Sequence, residues 1–323
     1  MSDVAAPLKP PLWRRVDPAV ATAFGCIVAL LFVGSLYSRN FLSPEYLLQQ
    51  LKVASFLGVI ASGMMLAILI GQIDLSLPWV VTVGAMMSCA MGHGLWGSVA
   101  AAPVGIACGV AIGCVNGFGV AYLRIPSMIV TLATNAVAQG LMVVYTGGFS
   151  PRDSASPVMR YLATGETLPG LPNAVLCWAA VAVMTVVMLR RTTFGRTLYG
   201  IGNRERAVYL SGVDTRRVVL AVFALSGGAS AFGGVLLAGY ASKAAQSMGD
   251  AYLLPAIASV VLGGASILGG RGTYLGTVAG VLLITLLQSI LSVMQIPEYG
   301  RQIIYGLVII GMLLLYGRER LAR

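Results

Sequence analysis

The chain has 323 residues, of which 58% are hydrophobic and only 10% are charged, and its mean hydropathy is +0.86. Soluble domains carry about 45–50% apolar and about 25% charged residues, so this composition excludes an ordinary soluble fold. The net charge of +10 lies in short loops and tails. It therefore does not form the basic patch of a nucleic-acid-binding protein.

Long uncharged runs recur along the chain without period-two alternation, which predicts an all-α, polytopic membrane protein rather than a barrel. We expect one transmembrane domain over 19–316, between an N-terminal tail over 1–18 and a C-terminal tail over 317–323. The proline-rich, basic N-terminal tail is expected to precede a retained first helix rather than a cleaved signal peptide. The ten predicted helices cover 19–37, 51–70, 78–92, 98–122, 127–146, 173–189, 218–240, 251–268, 273–293 and 301–316.

Basic residues orient these helices. The segment 190–217 contains seven arginines, and both tails are also basic. An even number of helices places all three segments on the cytoplasmic side. The segment 147–172, rich in Pro, Ser and Gly, then becomes the largest outer loop.

The stretch "GQIDLSLPWV" interrupts two uncharged runs and predicts a break between the second and third helices. Asp74 or Ser76 can cap the helix that Pro78 begins, although a direct role of Asp74 in a transport path stays open. The same pattern, an aspartate followed by a proline, recurs at Asp250 and Pro255 after the seventh predicted helix. Helices 2–5 and 7–10 thus form a probable inverted repeat, with chance as the alternative.

The fifth predicted helix carries an uncharged polar stripe. Its members are four residues apart, with one threonine beside them: Ser127, Thr131, Asn135, Gln139 and Thr134. Polar groups are costly in lipid, so the stripe should face protein or a water-filled path for a hydroxyl-rich solute. Asn116 and Gln288, also within helices, are candidates for the same two roles.

The basic segment 190–217 contains "NRERAVYL" at 203–210, which predicts a short helix behind Asn203 as a cap and ended by Gly212. Such a helix could anchor to lipid headgroups or dock on a partner. The residues that would take part are Asn203, Arg204, Glu205, Arg206, Ala207, Tyr209 and Gly212.

No catalytic or metal-binding motif is recognisable. The glycine-dense "VLGGASILGGRGTYLG" fails the Walker A pattern because Gly269 is followed by Gly270 and Arg271, without lysine or hydroxyl. The five cysteines have no zinc or disulfide spacing. We therefore expect no enzyme activity, cofactor or metal in this chain.

The chain resembles the permease subunits of bacterial ABC importers for ribose and related monosaccharides. The resemblance rests on "GQIDLSLPWVVTVGA", "NGFGVAYLRIPSMIVTLA", "TTFGRTLYGIGN", "LSGVDTRRV" and "AIASVVLGGASILGGRGTYLGTVAG". It departs from the family at Arg204-Glu205-Arg206, where the family is richer in alanine, and at Leu77-Pro78, where valine and glycine are usual.

This resemblance implies an inner-membrane homodimer or heterodimer of permease chains, surrounded by lipid. It also implies cytoplasmic subunits that use ATP and magnesium, and a periplasmic sugar-binding protein that docks on outer loops near Arg152 and Arg160. In such importers the loop between the sixth and seventh helices carries the coupling helix, which here maps to about 203–212.

Three other functions stay open. The chain could be an ABC permease for a polyol, a furanone-type signal or a branched-chain amino acid. An ion-coupled secondary carrier would usually carry acids deep in its helices, whereas the eleven acids here fall in tails, loops or helix ends. An intramembrane enzyme would need a His/Glu cluster or a Ser/His pair within its helices.

Overall fold

The computed structural model describes residues 18–321 except Ser38, His93, Ser150 and Arg152. This part of the chain is a bundle of twelve α-helices with one small hairpin. The helices are α1 (Pro18–Tyr37), α2 (Pro44–Leu69), α3 (Leu77–Met91), α4 (Gly94–Ala121), α5 (Ser127–Thr146), α6 (Pro157–Thr164), α7 (Asn173–Arg191), α8 (Thr193–Leu210), α9 (Thr215–Ala241), α10 (Leu253–Leu262), α11 (Tyr274–Val293) and α12 (Glu298–Leu321).

The described helices reproduce the predicted ones, with three differences at their ends. Helix α2 begins at Pro44 instead of 51, because the Ser43 hydroxyl accepts the Tyr46 N–H at 3.3 Å and caps it. Helix α10 has 10 residues instead of the 18 expected, because Gly264 turns the chain at φ +89°. Helix α12 extends to Leu321, so the expected tail from 317 is mostly helical.

Six of the described helices are long and apolar enough to cross a membrane: α2, α4, α5, α7, α9 and α11. Shorter apolar helices lie at Ala21–Tyr37, Leu77–Met91 and Asp250–Leu262. Ten residues of α helix rise about 15 Å, which is half of a bilayer core of about 30 Å. Helix α10 by itself is therefore too short to span.

Helices α2 and α9 form the centre of the bundle. In the most apolar part of α2, 83% of the residues are buried, against 17% in α5. Helix α4 lies along α9 at very short range, because a Cβ on Gly109 or Gly113 would overlap the backbone of α9. The glycines at every fourth position of α4 therefore serve close helix packing.

The expected outer loop over 147–172 is partly folded onto the bundle. It contains α6 and an antiparallel hairpin of β1 (Glu166–Leu168) and β2 (Leu171–Pro172). Met159 and Ala163 of α6 are fully buried and pack against α9. Ser156 followed by Pro157 was the signal for this helix, because the Ser156 hydroxyl caps it by accepting the Met159 N–H at 3.3 Å.

Candidate functional site

The non-helical residues 70–76 between α2 and α3, which we call the first break, enclose a buried carboxylate. Asp74 is 1% exposed. Its Oδ1 accepts hydrogen bonds from the Ser76 N–H at 3.1 Å and the Ser76 hydroxyl at 2.6 Å. Its Oδ2 accepts a bond from the Ser226 hydroxyl of α9 at 2.8 Å. The acid thus fixes the shape of the first break and attaches it to the central helix α9.

Asn116 of α4 extends this cluster. Its Nδ2 donates to the Ser76 hydroxyl at 2.8 Å, and the side chain is fully buried. The Asn116 Oδ1 has no hydrogen-bond partner among the described residues. Sequence reasoning grouped Asn116 with the stripe on α5, whereas the structure places it with Asp74. Ser226, which completes the cluster, gave no sequence signal because serine is common in membrane helices.

The polar stripe of α5 faces the first break. Ser127, Thr131 and Asn135 accept hydrogen bonds from the backbone N–H groups of Ile73 at 3.4 Å, Leu75 at 3.0 Å and Trp79 at 3.3 Å. Backbone donors in a break or in a first helical turn have no partner within the helix. Side chains of the neighbouring helix α5 therefore accept the hydrogen bonds that these backbone N–H groups cannot make within a helix.

The stripe divides at Asn135. Thr134 donates its hydroxyl to the Val130 carbonyl at 2.9 Å within α5, and Gln139 is exposed. The structure therefore brings together three of the five predicted stripe residues and leaves Gln139 on an outer surface of the isolated chain.

The expected capping of α3 is wrong in its details. Ser76 occupies the N-cap position, but its side chain makes no cap bond. Its hydroxyl is already used by Asp74 and Asn116, so Asn135 caps α3 from outside. Pro78 lies in the first turn, where its missing N–H costs little.

The residues 242–252 between α9 and α10, which we call the second break, differ from the first. Asp250 is exposed and makes no side-chain cap, and α10 begins after Tyr252 without a cap bond. Pro255 is buried within α10. The Gly249 N–H donates to the Thr82 hydroxyl at 3.2 Å, and a Cβ on Gly249 would overlap the backbone of Pro78. The second break is therefore in direct contact with the first turns of α3, the helix that follows the first break.

The segment 203–212, which we call the coupling segment, lies at the end of α8. The helix is kinked at Arg204, whose φ of −157° and ψ of 95° are not helical. Asn203 does not cap the second part, because its amide donates to the Tyr199 carbonyl at 2.8 Å. Glu205 accepts the Thr215 hydroxyl at 3.0 Å, and Gly212 follows the helix at φ +87°.

The coupling segment projects from the bundle. Tyr209 is 61% exposed and the neighbouring Leu210 is 82% exposed, while Arg204, Arg206 and Ala207 are also exposed. Large apolar side chains beside arginines form a surface that can dock on a protein partner.

Four glycines join α8 to the end of α2 and to the turn before α11, and we call them the glycine joint: Gly71, Gly202, Gly269 and Gly270. A Cβ on Gly202 would overlap the Leu69 carbonyl oxygen and the Gly270 nitrogen. The Gly270 N–H donates to that same carbonyl at 2.9 Å. Gly71 and Gly269 have φ of +75° and +85°, which glycine adopts without strain.

Two side chains of α8 strengthen the joint. The Tyr199 hydroxyl donates to the Gly272 carbonyl at 2.8 Å, and Asn203 donates to the Gly270 carbonyl at 3.4 Å. Burial raises the pKa of Tyr199, and the nearby Arg190 opposes this only in part, so the phenol stays protonated and donates. These two bonds hold α8 against the turn that contains Gly269 and Gly270, and this turn contacts Gly71, three residues before Asp74.

Gln288 lies apart from these groups. It is half-buried on α11 and lines a polar cleft with residues of α2 and α12. Arg160, expected near an outer docking surface, is exposed on α6. Arg152, expected beside it, lies outside the described residues.

The first break thus bonds to side chains of α4, α5 and α9, and backbone contacts at the glycine joint connect it to α8. Over residues 46–313 the chain matches the family described as branched-chain amino acid transport system / permease component. The chain belongs to this permease family. It is therefore a multi-pass membrane permease of the ABC transport class.

Curated relatives agree with this assignment. The chain is 32% identical to the ribose import permease protein RbsC of Haemophilus influenzae, over 89% of this chain and 90% of the relative. It is 33% identical to RbsC of Bacillus subtilis, over 88% and 89%. It is 31% identical to the autoinducer 2 import system permease protein LsrC of Salmonella typhi, over 94% and 86%. No solved structure gives a significant match.

Proposed function

We propose that this permease forms the translocation path of an ATP-driven importer for a monosaccharide, a ribose-like pentose or a related sugar. The ribose permeases among its relatives support the sugar. The LsrC relatives support a furanone-type signal as the second candidate solute.

The main observation in support of this proposal is that the glycine joint connects α8 to the first break. It links an exposed apolar tip at Tyr209 and Leu210 to the first break by direct backbone contacts. A secondary carrier needs no such tip, because its coupling ion binds within the bundle. A permease driven from outside the membrane needs a surface that receives the movement and a rigid contact that passes it on.

We also propose that the chain crosses the membrane ten times, with α1, α7 and two inverted repeats, α2–α5 and α9–α12. In this proposal α10 crosses together with the neighbouring residues of the second break. The packing supports this pairing. Helices α3 and α4 pack on α9 as α10 and α11 pack on α2, and α3 contacts α5 as α10 contacts α12. In transporters such repeats enclose a central path and move against each other.

In the proposed mechanism, a loaded periplasmic binding protein docks on the outer loops. Cytoplasmic subunits then bind and hydrolyse ATP with magnesium, and they displace the coupling segment. The glycine joint transmits this movement to the first break. There Ser127, Thr131 and Asn135 exchange their backbone partners as α5 shifts. The path is uncharged and binds weakly, so most affinity lies in the binding protein.

The assembly proposed here contains two permease chains, as a homodimer or a heterodimer, in the bacterial inner membrane. Both termini lie in the cytoplasm together with the arginine-rich segment 190–217, as the positive-inside rule favours. The chain itself needs no cofactor, and the nucleotide chemistry belongs to the partner subunits.

The test is co-expression with the ATPase and binding protein of a ribose import system, followed by uptake of labelled ribose into proteoliposomes. Replacing Tyr209 and Leu210 together by Ser should lower ATPase co-purification by roughly tenfold, because buried apolar anchors dominate docking. The permease itself should remain folded, since both side chains are exposed.

The matched control is Phe149→Ser, which removes another largely exposed aromatic side chain, from the segment expected to form the outer loop. It should leave ATPase co-purification unchanged. Uptake that needs a proton or sodium gradient but no ATPase would contradict the proposal and favour a secondary carrier. Normal ATPase binding by the double variant would contradict the assigned docking surface alone.

A further inference from the structure

A polar cleft of about 380 Å³ opens between the beginning of α2, the second half of α11 and the beginning of α12. We call it the α11 cleft. It lies away from the first break, since α5 packs on α3 and α4 rather than on these helices. On the orientation proposed above, this end of the bundle faces outward.

The walls of the α11 cleft are unusually polar for an apolar bundle. Gln50 of α2 and Thr285, Gln288 and Ser292 of α11 face it, together with Tyr46. Polar side chains in a membrane bundle are costly unless they bond to each other or line a solute path. Among the described residues, no hydrogen bond joins the Gln50 or Gln288 amide to protein.

Thr285 gives the most direct indication of a ligand. Its side chain is 3% exposed, and its hydroxyl has no partner among the described residues. The hydroxyls of Thr131 and Thr185 donate to the carbonyl four residues earlier, as is usual in helices. A buried hydroxyl without a partner is destabilising, so a bound group that accepts or donates there would be favoured.

The rim of the α11 cleft is held in place. The Tyr46 hydroxyl bonds to the Ser289 hydroxyl across α2 and α11. Arg301 donates its Nε to the Ile296 carbonyl at 3.0 Å. The lining contains one arginine and no carboxylate. Such walls select against a cation, and their amides and hydroxyls can each donate and accept, as vicinal hydroxyl groups require.

The volume of the α11 cleft lies near the lower end of the range of about 300–1,000 Å³ for small-molecule sites. We propose that the α11 cleft is a weak binding subsite for a neutral polyhydroxylated solute, namely a monosaccharide or polyol. The unpartnered Thr285 hydroxyl and the Gln50 and Gln288 amides supply its hydrogen bonds. This inference rests on the proposed function, because it assumes that the chain handles a sugar.

The test uses the full chain in membrane vesicles, with Gln288→Cys labelled by a membrane-impermeant thiol reagent. We expect labelling, because the cleft is open to water, and protection by millimolar ribose. Phe149→Cys is the matched control, since it is exposed away from the cleft and should be labelled with or without ribose. The parent chain gives the background from its five cysteines.

Absence of labelling would overturn the inference, because the cleft would then face lipid or protein. Labelling without protection by ribose, by a hexose or by a polyol would overturn it as well. These results do not depend on ATP-driven uptake, so failure of the importer proposal is recognised separately, by wild-type vesicles that take up no sugar.

A second arm measures uptake by the assembled importer. Thr285→Val keeps the shape of the side chain and removes its hydroxyl, so thermal stability should not fall. Sugar uptake should fall about three- to tenfold, as expected for one lost hydrogen bond. Thr185→Val on α7 is the control, with unchanged uptake. Normal uptake by Thr285→Val would contradict the proposal.

Discussion

The first and second breaks each contain an aspartate shortly before a proline, but they are stabilised in different ways. In the first break, Asp74 is buried, and helices α4, α5 and α9 supply side chains to it. In the second break, Asp250 is exposed, and apart from the Gly249 N–H, which donates to Thr82, backbone N–H groups bond within successive turns of the segment. Met248 N–H donates to Ala245, Asp250 N–H to Ser247 and Tyr252 N–H to Gly249.

This difference assigns different mechanical properties to two similar segments. A break whose backbone N–H groups bond to its own carbonyls keeps its shape when the surrounding helices move. A break whose hydrogen bonds come from side chains of three other helices changes its shape when any of these helices shifts. The first break can therefore respond to movement, while the second break supports the beginning of α3 through the contact between Gly249 and Pro78.

Among variants that test the difference between the two breaks, Asp74→Ala should cause the largest loss of stability. It leaves the Ser226 hydroxyl and the Ser76 donors without their acceptor in a buried site. Each buried unsatisfied group costs about 1–3 kcal/mol, so the loss of stability should reach several kcal/mol. Asp250→Ala, at an exposed position, should cost less than about 0.5 kcal/mol.

The stability of both variants is measured by their melting temperature in detergent and by the yield of monodisperse protein. Equal losses for Asp74→Ala and Asp250→Ala would show that the two breaks are equivalent after all. Asp74→Asn keeps the shape and one acceptor oxygen, so it should retain part of the stability that Asp74→Ala loses.

A smaller effect is expected where the second break meets α3. In Gly249→Ala the new Cβ would overlap the backbone of Pro78, and backbone cannot yield as a flexible side chain does. Overpacking of this kind costs about 1–3 kcal/mol. Gly140→Ala on α5 is the control, because nothing lies within 4 Å of its Cβ position. A melting temperature of Gly249→Ala equal to that of the control would exclude a rigid contact between the second break and α3.

The sequence predicts the helices well because long apolar runs are a strong signal. It does not predict the end of α10, since the residues after Gly263 remain apolar and only the backbone turn at Gly264 ends the helix. It missed α6 because the proline-rich composition of that segment outweighed the cap at Ser156. Local pattern therefore predicts the long apolar helices, but it does not predict the short helix α6 or where several of the other helices end.

The site was predictable in its residues but not in their partners. The α5 stripe is visible from its spacing, and its expected contact with protein is what the structure contains for Ser127, Thr131 and Asn135. Their partners are backbone N–H groups, which carry no sequence signal. The glycine joint has the same limit, because a glycine in the sequence does not indicate which backbone approaches it.

The smallest effect distinguishes the two halves of the α5 stripe. Asn135→Leu removes the acceptor for the Trp79 N–H and so the cap of α3, which should cost about 0.5–2 kcal/mol. Gln139→Leu changes an exposed side chain and should leave the melting temperature unchanged. In the proposed mechanism α5 exchanges these partners as it shifts, so Asn135→Leu should also slow ATP-driven uptake in proteoliposomes. If Gln139→Leu slows uptake without loss of stability, Gln139 lines the path while Asn135 holds the first break. If both variants transport normally, the stripe serves packing alone, and the part of the mechanism that passes through α5 is wrong.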